Sequence, residues 1–130
     1  MRGKRTTLIL AAIGVLGVIL AFVVGVDENE PGALLLWAAS IALVLAFAHA
    51  WRQTRKFVIL LFASVAGLVF FAVLHNVFYA LAEVSDDVVA VSCVLDFLEV
   101  LSFYVAIFLG SAGILVGAAG AVLLRMFGED

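Results

Sequence analysis

The chain has 130 residues, 67 % hydrophobic and 13 % charged, with seven Lys and Arg, ten Asp and Glu, and a formal net charge of −3. Mean hydropathy is +1.31, and soluble domains carry roughly 25 % charged residues, so a soluble fold is excluded and nucleic acid is not an expected partner. The single cysteine, Cys93, rules out an internal disulfide and a CxxC redox pair.

Four apolar blocks predict helices over approximately 7–26, 33–51, 57–82 and 88–125. Each approaches or exceeds the ~20 residues that cross a bilayer. Helices are preferred to barrel strands because the runs are long and do not alternate. The expected fold is therefore all-α, a polytopic four-helix membrane bundle forming one domain over 1–130.

The first block follows "MRGKRTT", which resembles the basic start of a signal peptide. Its apolar run exceeds the usual ~7–15 residues and has no small-x-small cleavage site before Asp27, so a retained helix is expected. Gly14, Gly17, Ala21 and Gly25 recur on it three or four residues apart. The "DENEP" loop then carries Asp27, Glu28 and Glu30, and Pro31-Gly32 closes it. In the second block Ala38, Ala42, Ala46 and Ala50 recur every four residues. Trp37 is expected near one membrane interface, and His49 and Trp51 near the other.

Arg52, Arg55 and Lys56 precede the third block, whose last part carries His75, Tyr79 and Glu83 in one four-residue stripe. The connection "SDD" follows, with Ser85 or Asp86 expected to cap the last helix. That helix bears Ser92, Asp96, Glu99 and Ser102 on one stripe. Further along come Ala106, Gly110, Gly113, Gly117 and Ala121, and then Arg125. Gly14, Gly17, Gly110, Gly113 and Gly117 are the candidate helix-packing positions, because small residues let backbones approach in lipid.

All seven basic residues fall at the N-terminus, in the second loop or at the end of the fourth helix. The positive-inside rule then predicts cytoplasmic N- and C-termini in a cell (plasma or inner) membrane, with both acidic loops outside. A bias this strong opposes dual topology, so a homo-oligomer is expected to be parallel. No carboxylate or lysine falls at mid-depth, where Ser40, Ser64 and Ser111 are the polar residues. That disfavours a proton relay within one subunit. His49 and His75 differ in depth by ~20 Å or more and cannot both bind one haem iron within a chain.

Five of the ten acidic residues lie between Phe78 and Val100. Counting from the basic end places His75 at the outer edge of the hydrocarbon, with Tyr79 and Glu83 ~5 and ~10 Å above it. Helices 3 and 4 are thus expected to continue outside as a hairpin. If their polar stripes face each other, His75, Tyr79, Glu83, Asp96, Glu99 and Ser102 form a ligand pocket. His75, Glu83, Asp96 and Glu99 would be its metal ligands, suited to Mn²⁺, Zn²⁺ or Ca²⁺. If the stripes face water, they are a solvated surface. No cofactor other than a divalent cation is expected.

Three functions fit this pattern. The first is a non-enzymatic assembly subunit that packs through its small-residue faces, with the bilayer and either its own copies or other membrane subunits as partners. The second binds or transports a divalent cation or a cationic small molecule through the acidic pocket. The third is a membrane enzyme using the same residues.

Overall fold

The computed structural model describes residues 2–27 and 29–128. Glu28, counted above with the acidic loop, lies outside the described residues. Those residues are all-helical, without strands: α1 (Arg2–Val24), α2 (Glu30–Ala48), α3 (Thr54–Val84) and α4 (Val89–Phe127). All four are long and apolar enough to cross a membrane. Most large apolar side chains point outward, such as Leu8, Phe47, Phe62 and Phe70, while the best-buried core residues are mostly alanines. Hydrocarbon outside removes the need to bury large side chains, so close backbone approach holds the helices together.

The α1–α2 turn depends on two glycines. Gly25 has φ 98°, the left-handed conformation that ends helices without a Cβ penalty. Its N–H donates to Ala21 O at 2.9 Å, and Asn29 Nδ2 donates to Val24 O at 3.1 Å, so these two terminal carbonyls are satisfied. Gly32 packs so close to the Gly25 carbonyl that a Cβ there would overlap it. Pro31 stands in the first turn of α2, where no N–H partner is needed.

Packing follows the order α1–α2–α4–α3, as two antiparallel hairpins side by side. A Cβ on Gly14 would lie 2.5 Å from Leu43 Cδ2, and one on Gly17 2.8 Å from Ala39 Cβ. The small face of α1 is therefore set against α2. Gly110, Gly113, Gly117 and Gly120 lie against Leu68, Ser64, Leu61 and Phe57 of α3. On α2 the alanine stripe is displaced: Ala39, Ala42 and Ala46 are buried, while Ala38 and Ala50 are exposed. At 3.6 residues per turn, strict four-residue spacing drifts about 40° per step and leaves the contact face within three steps.

At 31 residues, α3 is about 46 Å long, well beyond a ~30 Å hydrocarbon core. The longer α4 is interrupted by a wider π-helical turn at Val105–Gly110. Ser111 closes that turn. Its hydroxyl bonds the Ile107 carbonyl and reaches the Phe108 carbonyl at 3.3 Å, and it accepts the Trp37 indole N–H at 2.9 Å. Trp37, expected near a membrane interface, also ties α2 to α4 through this bond. Ser40, likewise at mid-helix, donates to Leu36 O at 2.8 Å. Such local bonds remove polar groups that hydrocarbon cannot satisfy.

The last helix is capped differently from the sequence expectation. Ser85 ends α3, its N–H donating to Leu81 and Ala82 carbonyls at 3.1 and 3.2 Å. The residue that precedes α4 is Val88, which makes no side-chain cap. The helix begins later than a Ser85 or Asp86 cap requires, with Ser85 closing the terminal turn of α3.

Candidate binding pocket at the acidic end

The two acidic connections lie at one end of the molecule, and the basic connection at the other. At the acidic end Asp27, His75, Glu99, Val100, Phe103 and Tyr104 line a cavity of about 270 Å³. Asp27 enters from the α1–α2 loop, His75 from α3 and the others from α4. None of the lining residues is Lys or Arg.

His75 Nδ1 lies 3.2 Å from the Glu99 backbone carbonyl and 3.7 Å from Glu99 Oε1. Only a protonated nitrogen can serve that carbonyl, so in the neutral ring Nδ1 carries the hydrogen and Nε2 is an acceptor. When doubly protonated, the ring forms an ion pair with Glu99. The Phe103 ring lies 5.5 Å from the imidazole and limits its rotation. His75 and Glu99 retain 31 % and 21 % of their side-chain exposure, so both remain open to a ligand from solvent.

Asp27 is held by a contact across 77 positions of sequence: the Tyr104 hydroxyl donates to its Oδ1 at 3.1 Å. The Tyr104 ring meets Phe22 of α1 edge-on, with centroids 5.5 Å apart, and lies 5.7 Å from Phe108. Tyr104 therefore joins the two hairpins and places a loop carboxylate over the pocket. The carboxylates bring negative charge into a partly enclosed space, where attraction for a cation exceeds its value in open water.

The six residues grouped from their helical spacing divide into separate sets. His75 and Glu99 come together. Tyr79 and Glu83 pair with each other, the phenol donating to Glu83 Oε1 at 3.0 Å, and both are exposed on α3. Asp96 is exposed one turn beyond Glu99. Ser102 is buried and donates to Leu98 O at 2.7 Å, so its hydroxyl serves its own helix. The four residues grouped as metal ligands do not converge. Among the described residues no group of three or more His, Cys, Asp or Glu side chains could hold a metal ion. Glu83 lies two turns from His75, about 12 Å along the axis, too far to share an ion with it.

Asp27 and Tyr104 complete the pocket and were absent from the sequence-based set. Asp27 had been legible only as part of an acidic loop, and Tyr104 had not been singled out. Fold and composition define a four-helix membrane protein of the all-α class. No protein-family model, curated protein or solved structure matches the chain.

Proposed function

We propose that the protein is a non-enzymatic membrane binding protein that takes a cationic group at its acidic end. The observation that carries this reading is the convergence of Asp27, His75, Glu99 and Tyr104, from three segments, on one cavity without Lys or Arg. The distribution of basic residues supports cytoplasmic termini and an outward-facing pocket in a cell membrane. Copies would then face the same way, and any oligomer would be parallel. The assembly-subunit reading draws less support, because the glycines it would use lie against α2 and α3 of the same chain.

Thermal unfolding in phosphatidylcholine nanodiscs tests the proposal, with tetramethylammonium chloride compared with sodium chloride at equal ionic strength. A ligand at 100 times its Kd stabilises by about 2.7 kcal/mol. Stabilisation by the organic cation, lost in Asp27→Asn and Glu99→Gln, is expected. Equal effects of the two salts, or stabilisation unchanged in both variants, would refute the reading.

A further inference from the structure

Below the polar pocket, α1, α2 and α4 border a second, half-open cavity of about 260 Å³. Its walls include Val18 and Phe22 of α1, Leu36 and Leu43 of α2, and Val105 and Leu109 of α4. They are almost wholly apolar, and the hydroxyl of Ser40, also in the lining, is already committed to Leu36 O. The π-helical turn contributes Val105, Phe108 and Leu109. Such turns widen a helix locally and often accompany functional sites.

Tyr104 lines both cavities. Its hydroxyl belongs to the upper one through Asp27, and its ring to the lower one beside Phe22 and Phe108. Polar and apolar spaces thus meet at one side chain. From Leu101 to Leu109 the lower cavity follows α4 for about 12 Å. We infer that the ligand is a cationic amphiphile with one alkyl chain, its positive head at Asp27 and Glu99 and its chain in the cleft between α1 and α4.

This inference rests on the cation-binding reading above and adds the ligand's second half. Charge selects the head. All seven Lys and Arg lie away from the acidic end, so a phosphate there would meet carboxylates with no cationic partner, and ordinary phospholipids are disfavoured. Volume selects the chain. A cavity of about 150 Å³ lined by Leu, Ile and Phe accommodates benzene, so this one suits a single alkyl chain better than the two of a bilayer lipid.

The test uses dodecyltrimethylammonium carrying a mid-chain diazirine, photolysed with the protein in phosphatidylcholine nanodiscs and mapped by peptide mass spectrometry. Labels are expected on Leu36, Leu43, Val105 and Leu109. Val18→Phe and Leu109→Phe, which fill the cleft, should each lower labelling there about tenfold while leaving tetramethylammonium stabilisation intact. Asp27→Asn/Glu99→Gln should lower it too, and a sulfate-headed diazirine chain should label the cleft poorly. Labels spread equally over outward residues such as Phe62 and Phe70 would overturn the chain placement; the head reading would survive if tetramethylammonium still stabilises. Cleft labelling that ignores head charge and both carboxylate substitutions would overturn the cationic amphiphile, and the acidic-end reading falls with it only when tetramethylammonium also fails to stabilise.

Discussion

Replacing Gly117 with alanine tests whether backbone contact holds α3 and α4 together. A Cβ at this position would lie 2.8 Å from Leu61 N, 2.9 Å from Leu61 Cα and 3.0 Å from Leu61 Cβ. Two of these atoms are backbone, so no side-chain rotation relieves the overlap and the helices must separate. Opening 2.8 Å to ordinary contact near 3.4 Å moves them about 0.6 Å apart at this level. A gap of ~0.5–1 Å forfeits a quarter to a half of the dispersion energy of the contacts it opens. Overpacking of this kind costs about 1–3 kcal/mol, or roughly 5- to 150-fold in the folded-to-unfolded ratio. Gly67→Ala is the internal control, because nothing lies within 4 Å of a Cβ there, and alanine is the better helix former by about 1 kcal/mol. Reversible unfolding in bicelles, followed by tryptophan fluorescence, should place Gly117→Ala below wild type and Gly67→Ala at or above it. Equal stability of the two variants would show that the α3–α4 interface is not set by this contact.

Two further outcomes follow from the same structure. Ser111→Ala leaves the Trp37 indole N–H without its acceptor, and should cost about 1–3 kcal/mol. Trp37→Phe leaves Ser111 bonded to its own helix and should cost only about 0.5–1.5 kcal/mol. Unfolding of both variants measures the asymmetry, and a larger loss in Trp37→Phe would refute this account of the hydrogen bond. Orientation is read by a membrane-impermeant maleimide on intact cells, with Cys93→Ala as background. Asp87→Cys should label, and Gln53→Cys should label only after lysis. The reverse pattern, or labelling of both in intact cells, would remove the outward-facing pocket.

Much of the architecture was legible in local chemistry. Apolar runs long enough to cross a bilayer specify helices wherever they occur, since backbone groups in hydrocarbon must bond within their own segment. Glycines at three- and four-residue spacing marked the close faces of α1 and α4 for the same local reason: helical periodicity places them together whatever lies opposite. Ser40 and Ser111 bond the preceding turn of their own helices, because those partners are also near in sequence.

Periodicity does not give the rotation of one helix about its axis relative to another. His75, Tyr79 and Glu83 share a stripe of α3, yet His75 contacts Glu99 while the Tyr79 hydroxyl is committed to Glu83. Ser102 shares a stripe with Glu99 but is turned to its own backbone. Tyr104 reaches Asp27 because the two hairpins lie side by side, a relation between residues 77 positions apart that no local pattern encodes. The sequence by itself determined the four apolar helices, the asymmetric placement of charge and the small faces, since each depends on composition and spacing along one segment. Tertiary structure alone decided which neighbour each small face meets, which acids share a cavity and where an apolar cleft opens beneath them. Those outcomes depend on helix rotation and packing order, which follow from contacts across the whole chain.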